Sequence, residues 1–284
     1  MSIVVTGATG HLGRLIIDRL ITRGTAPAEI VAAGRNAERL TAVARLGVST
    51  AVIDFASPAS LDSAFAGADT LMLVSGSEVG QRTQQHANAI AAAARSGITR
   101  IAYTSARHAD TSALILAPEH KATEQALRDS GIPFTILRNN WYTENYLGSM
   151  TQAEASGTYA DSTRGGLVAS ASRIDFADAA AVVLTTSGHE NATYELGGDH
   201  AWDGPELASA MADVLGTPVS YSPLTPEQHA AALTAAGLDA GTVGFVVALD
   251  GNIHDGLLGE TTGDLARLIG RPTTPLFEGL RAGH

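Results

Sequence analysis

Short apolar runs alternate with longer segments of helical period along the first two-thirds of the chain. Residues 3–6, 30–33, 50–54, 70–74, 100–104, 134–138 and 193–196 read as strands. Between them, 12–22, 37–46, 58–65, 80–96, 118–130 and 176–187 repeat their apolar positions every three or four residues, as helices do. The strand runs are continuously apolar rather than alternating, which predicts burial on both faces. With a helix after each, the pattern predicts a parallel sheet covered on both sides. Gly24, Gly47, Gly67, Gly97 and Gly131 fall at or just past the helix ends, where a C-terminal cap needs them. The expected fold class is α/β: a doubly wound parallel sheet of Rossmann type, with a smaller C-terminal lobe.

The rhythm changes after residue 139. Residues 139–172 hold one short helical stretch and then an irregular segment rich in Gly, Ser and Thr. Helices follow near 205–215 and 226–236, and the tail beyond them shows no clear period. The expected division is therefore 1–200 for the sheet domain and 201–284 for the lobe, with 139–172 contributing in part to the lobe.

Composition narrows the function classes. The net charge of −11 over 284 residues argues against nucleic acid or an anionic membrane surface as the main partner. The absence of cysteine removes disulfides, thiolate metal sites and a cysteine nucleophile. No apolar run approaches the ~20 residues that span a bilayer, and no signal-peptide pattern opens the chain, so a soluble cytoplasmic protein is expected. No His/Asp/Glu grouping has metal-ligand spacing, so no metal is expected. No Gly-x-Ser-x-Gly elbow suggests a hydrolase.

The most informative stretch is "VVTGATGHLG", residues 4–13. Gly7, Gly10 and Gly13 follow a strand and open a helix. One glycine allows the tight turn, one lets backbone approach a pyrophosphate, and one lets the helix pack on the strand. The N–H groups of His11, Leu12 and Gly13 at the helix start would face the phosphates. About 20 residues later a NAD-binding chain usually carries Asp or Glu for the ribose hydroxyls; here Arg35 stands in "AAGRN". A guanidinium suits the 2′-phosphate of NADP, with Thr9 and Asn36 adding hydrogen bonds, so NADPH is expected in preference to NADH. Asp54 fits either an adenine contact, with Phe55 beside the ring, or an ordinary helix N-cap. Ser75, Gly76 and Ser77, at the end of the fourth strand, are small and polar enough to pass under a nicotinamide ribose.

The fold points to the short-chain dehydrogenase/reductase group, whose usual catalytic pair is Tyr-x-x-x-Lys. Lys121 is the sole lysine and Ala117 stands four residues before it, so this chain cannot form the pair. Reducing an unactivated ketone leaves a strongly basic alkoxide that needs a committed proton donor. A reduced quinone leaves an anion about as basic as a phenolate, pKa ~10, which water or a nearby Tyr or His can protonate. A quinone or another easily reduced acceptor is therefore favoured, or no catalysis at all.

The motifs "TGATGHLG", "SGSEVGQRTQQH" (75–86), "IAYTSARHADTS" (101–112), "EHKATE" (119–124), "LRNNWYTENY" (137–146), "YELGGDHAW" (194–202) and "LIGRPTTPL" (268–276) run almost end to end. Through them the chain resembles the NmrA-like, atypical branch of that group, and within it the bacterial NADPH:quinone oxidoreductases. The resemblance implies hydride transfer from NADPH to a quinone or similar aromatic acceptor held over the nicotinamide, between the sheet domain and a substrate lobe. It also implies that family members often dimerise. Tyr103, Asn140 and Tyr142 are the candidate catalytic residues. Thr104, Ser105, Lys121 and Asn139 join the cofactor set. Trp141, Tyr142, Asn145 and Arg107 form the substrate set, the aromatic pair offering a flat surface to a ring. His108 and His120 are alternative proton sources or structural groups. Gly76 stands where serine is common in the family, and Asn140 where glycine is common. Two other readings stay open. One is an NmrA-type redox sensor that binds dinucleotide without turnover. The other is a tailoring reductase of polycyclic aromatic metabolites.

Overall fold

The computed structural model describes residues 2–284. In chain order its strands are β1 (Ile3–Val5), β2 (Ile30–Gly34), β3 (Ser49–Val52), β4 (Thr70–Leu73), β5 (Arg100–Ala106), β6 (Phe134–Asn139), β7 (Thr158–Asp161), β8 (Ala192–Leu196) and β9 (Ser220–Pro223). The α-helices are α1 (His11–Thr22), α2 (Ala37–Ala44), α3 (Pro58–Phe65), α4 (Arg82–Arg95), α5 (Ala117–Asp129), α6 (Leu147–Ser156), α7 (Arg173–Thr185), α8 (Gly204–Leu215), α9 (Pro226–Ala235), α10 (Ala240–His254), α11 (Asp264–Ile269) and α12 (Leu276–Gly283). No helix among the described residues is long and apolar enough to cross a membrane.

The chain divides into two compact units. The first runs from the N-terminus to Asp110 and takes in Leu116–Asn139 and Arg173–Leu196; the second comprises Thr111–Ile115, Asn140–Ser172 and Gly197–His284. The division differs from the one expected. Residues 140–172 fall wholly in the second unit, and a five-residue piece of the β5–α5 connection goes with them.

The first unit is a seven-stranded, all-parallel sheet in the order β3-β2-β1-β4-β5-β6-β8. Val4, Ala33, Leu71, Leu73, Ile101, Tyr103 and Ile136 point to one face and pack with Leu61 and Phe65 of α3, Ala89 and Ile90 of α4 and Leu127 of α5. Their strand neighbours point the other way, as the two-residue period requires. Helices α1 and α7 pack against each other, and Ile16, Ile17, Leu20 and Phe176 are buried there. The expected burial on both faces fails at the two edge strands, β3 and β8; of β8 only Leu196 is buried. Strand β3 is largely exposed, and Val52 keeps 58% of its surface. All five glycines assigned to helix ends have positive φ. Strands β1 and β4 are neighbours but not consecutive, so the direction of winding reverses between them. Such a reversal opens a crevice at the carboxyl ends of the strands.

In the second unit, β7 and β9 form a two-stranded parallel sheet. Capping boxes start α8 (Asp203 with Glu206) and α9 (Thr225 with Gln228). The tail that showed no period contains α10. Its run "GTVGFVVALDG" is apolar nearly all round and interrupted by glycines, so no stripe marks it as helical.

Candidate functional site

The carboxyl end of β1 enters a turn built on three glycines. Gly7 has φ +62°, the left-handed region, and its carbonyl accepts the Gly10 N–H at 2.9 Å. A Cβ on Gly13 would stand 2.3 Å from the Gly7 oxygen, so only glycine lets α1 start this close to the turn. Gly10 is the N-cap of α1 and supplies no side-chain bond, and the first turn holds no acidic residue. The N–H groups at this helix start are thus not taken by a side-chain cap. Across the turn, a Cβ on Gly34 would crowd the Thr9 side chain at 3.0 Å, so glycine at the end of β2 leaves Thr9 its place. A backbone cradle stripped of side chains and topped by a helix N-terminus fits a pyrophosphate.

Arg35 follows β2 and is exposed, as a residue reaching for a phosphate should be. Its guanidinium, however, is ion-paired with Glu78 from the loop after β4. Arg35 and then Gln85 hydrogen-bond the Glu78 carboxylate and hold its pKa below the usual range. Asp54 accepts the Ala56 N–H at 2.8 Å and is not the N-cap of α3, a position held by Ser57. Phe55 lies edge-on to His86 at 6.2 Å.

The loop 75–77 after β4 is held from below. The Ser75 N–H donates to Thr104 Oγ1 (2.8 Å), which in turn donates to Ser75 Oγ (3.2 Å). Gly76 is gripped at both ends of its peptide: its N–H donates to His86 Nε2 (3.1 Å), and its carbonyl accepts from Arg82 Nε (2.6 Å). Glu119 at the start of α5 receives the N–H groups of Gly80 and Arg82. With Nε2 accepting from Gly76, His86 carries its proton on Nδ1 and donates it to Thr123 Oγ1 at 2.9 Å. Burial, then the nearby Arg82 charge, lowers the His86 pKa to about 4. His86, Arg82, Glu119, Gly34 and Glu78 were not singled out from the sequence. Only the positions of Glu78, Arg82 and His86 inside the "SGSEVGQRTQQH" motif and of Glu119 at the start of "EHKATE" hinted at them.

The structure corrects several expected roles. Tyr103 is wholly enclosed, its hydroxyl 2.7 Å from His120 Nδ1, and burial raises its pKa well above that of a free phenol. Residues two apart on a strand share a face, and the Tyr103 side chain belongs to the core packed on α4 and α5. A phenol sealed in a core cannot hand its proton to a bound acceptor. His120 is buried with it, and burial, followed by the charge of Arg82 and then of His86, lowers its pKa to about 3. Ser105 lies on the same face and donates to Glu124 at 2.7 Å. Glu124 also receives Arg138 through two bonds, at 2.8 and 2.6 Å, and Arg138 reaches Glu195 and Asp110. Ser105 is therefore part of an ion-pair network beneath β5 and β6. Arg107 is 1% exposed with a bond to His108, and His108 pairs with Glu195 at 3.0 Å. Lys121 is exposed on the first turns of α5. Thr104 and Asn139 stand at the carboxyl ends of β5 and β6.

Asn140, Trp141, Tyr142 and Asn145 all belong to the second unit. Backbone bonds join residues 141–143 to Ala171. Asn140 is 5% exposed, and its amide N–H groups donate to the Ala169 and Leu258 carbonyls, each at 3.0 Å. Its donors are spent holding three chain segments together, so it is no proton donor to a substrate. Trp141 and Asn145 line a cavity of 560 Å³ within this unit.

The model of the family described as NAD(P)H-binding matches residues 7–187, from the glycine turn to just beyond α7. The chain belongs to the NAD(P)H-binding family. That membership agrees with the side-chain-free cradle between β1 and α1. Over 277 residues the chain is 45% identical to quinone oxidoreductase 2 of Escherichia coli, covering 97% of this chain and 96% of that one. A crystal structure of the NADPH-dependent quinone oxidoreductase of Escherichia coli, complexed with NADPH, matches with a TM-score of 0.93 at 44% identity over 99% of each chain. The Citrobacter sp. triphenylmethane reductase complexed with NADP(H) matches with a TM-score of 0.93 at 38% identity over 100% of each chain.

Proposed function

We propose that this protein is an NADPH-dependent reductase of quinones and similar easily reduced aromatic acceptors. The observation that carries the reading is end-to-end likeness to the Escherichia coli quinone oxidoreductase, joined to a glycine cradle in this chain that would take the pyrophosphate. When bound, the dinucleotide supplies the hydride.

The chain's own residues bind and orient. The N–H groups of His11, Leu12 and Gly13 receive the phosphates. Arg35 exchanges its Glu78 partner for the 2′-phosphate, and Asp54 and Phe55 border the adenine. Ser75, Gly76 and Ser77 flank the ribose on a loop that Thr104, His86 and Arg82 keep still. Asn139 and Thr104 stand on the nicotinamide side, with Lys121 nearby on α5. Trp141, Tyr142 and Asn145 receive the acceptor. No committed proton donor is needed, because a reduced quinone is about as basic as a phenolate, pKa ~10. The enclosed Tyr103 and the tethered Asn140 are scaffold in this reading. Holding the two reactants in register is the main catalytic contribution.

The test is oxidation of NADPH and of NADH by the purified protein, followed at the nicotinamide absorbance with a small set of simple quinones. Quinone-dependent turnover with NADPH and little with NADH is expected. No oxidation above the protein-free rate would overturn the reading.

A further inference from the structure

The second unit contains a cavity of 560 Å³, inside the roughly 300–1,000 Å³ range of small-molecule sites. Its wall is aromatic and aliphatic: Trp141, Tyr146, Tyr159, Leu233, Phe245 and Leu249 all contribute. Two organised polar groups are set into this wall, one at His229 and one at Asp161. His229, 8% exposed, lines the cavity and turns Nδ1 to Asp250 Oδ2 at 2.9 Å. The same carboxylate oxygen receives the N–H of Ser162 at 2.8 Å and its hydroxyl at 2.7 Å. Asp250 is thereby fixed by three donors, two of them from a single residue of another segment. A second carboxylate in the wall, Asp161, is filled in the same way by the Thr163 N–H, the Thr163 hydroxyl and the Tyr221 hydroxyl.

The consequence for His229 is a set tautomer. A carboxylate is acceptor-only, so Nδ1 carries a proton, and in the neutral ring the lone pair is on Nε2. Nε2 has no hydrogen-bond partner in the protein and is not among the sealed, unpartnered atoms. The cavity therefore presents aromatic and aliphatic walls and, at His229, an oriented acceptor backed by a buried carboxylate that strengthens it. Two carboxylates in the wall disfavour an anionic ligand. A neutral ring hydroxyl meets every requirement. The ring lies on the aromatic wall, and the hydroxyl donates to Nε2.

The geometry points to a binding site in the second unit for a flat, fused aromatic ring bearing a neutral hydroxyl, received by His229 Nε2. This goes beyond the dinucleotide reading and stands whether or not the bound ring is the one reduced. His229 acts here as a recognition residue, and Asp250 and Ser162 position it.

The probe pair is a naphthol and its methyl ether, which differ in the single hydroxyl proton. Each is titrated into the full-length protein saturated with NADP+, so that the dinucleotide site is occupied, and binding is read as quenching of tryptophan emission. Trp141 is in the cavity wall whereas Trp202 is buried at 3% exposure, so loss of quenching in Trp141→Phe locates the signal. The expected result is roughly ten-fold tighter binding of the naphthol, the worth of one good hydrogen bond to an oriented acceptor. In His229→Phe that preference falls to near equality while the ether binds as before. Equal affinities in the parent protein overturn the proposal, as does a preference that survives His229→Phe or an absence of quenching by either probe. If His229→Phe does not fold, the ring-nitrogen chemical shifts of His229 in the parent protein decide: the naphthol must move the Nε2 resonance and the ether must not.

Discussion

Arg35 and Glu78 set up a competition within a single ion pair. The guanidinium that would receive a 2′-phosphate is already engaged by a carboxylate, and both side chains are partly open to water. An exposed pair is worth little, so exchanging the carboxylate for a doubly charged phosphate is favourable but not free. Arg35→Ala should lower kcat/KM for NADPH by about 10–100-fold, the worth of a hydrogen bond to a charged group, and leave NADH use nearly unchanged. Glu78→Gln should do the opposite and tighten NADPH binding a few-fold, measured by titration of the nicotinamide fluorescence. Gly13→Ala tests the cradle itself. Its new Cβ would collide with the Gly7 backbone, so dinucleotide binding should be lost, with a stability cost of about 1–3 kcal/mol read from denaturant unfolding. At this scale the sequence was legible where chemistry forces one residue type. The turn at Gly7, Gly10 and Gly13 could be read from spacing alone. Tyr103 and Asn140 could not, because which face of a strand Tyr103 takes, and which carbonyls Asn140 meets, depend on segments far away in the chain.

Helices α4 and α5 do more than cover the sheet. Through His86, Arg82 and Glu119 they fix the loop after β4, and two of their buried histidines stay neutral at ordinary pH. The folded pKa values, about 4 for His86 and about 3 for His120, lie below the ordinary 6.5. The unfolded chain therefore binds more protons between those values, and stability falls as pH drops through that window while staying level above it. Each histidine contributes a slope of up to roughly 1.4 kcal/mol per pH unit. His86→Gln should be less stable than the parent at pH 7.5 or so, and the gap should narrow on acidification as the parent loses its advantage. A gap constant with pH, measured by thermal melts, would show that His86 is not protonated on unfolding. The elements themselves were largely readable because most strand runs are continuously apolar and most first-unit helices keep their period. The exceptions have physical causes. β3 is an edge strand whose apolar residues meet water. α10 has apolar residues on all sides and glycines between them, and β7 and β9 are four-residue strands with no alternation to mark them.

Over the whole molecule, the chain passes from one unit to the other after residues 110, 115, 139, 172 and 196. The boundary expected near residue 200 follows the order of predicted strands and helices along the chain, whereas the units follow packing. β8 and α7 return to complete the first unit after 33 residues, Asn140–Ser172, spent in the second. Both tryptophans, Trp141 and Trp202, lie in the second unit, so their emission reports on that unit alone. Thermal unfolding followed by tryptophan emission and by far-ultraviolet circular dichroism should give coincident transitions, and NADPH should raise both midpoints together. Two separated transitions would show that the crossings do not couple the units.

That interleaving also bears on inheritance. A unit assembled from three separated stretches cannot be gained, lost or exchanged by a single recombination event in the gene. Any such event would sever at least one strand or helix from its partners. The dinucleotide cradle and the aromatic cavity must therefore be inherited together, and their specificities can diverge only by substitution within them.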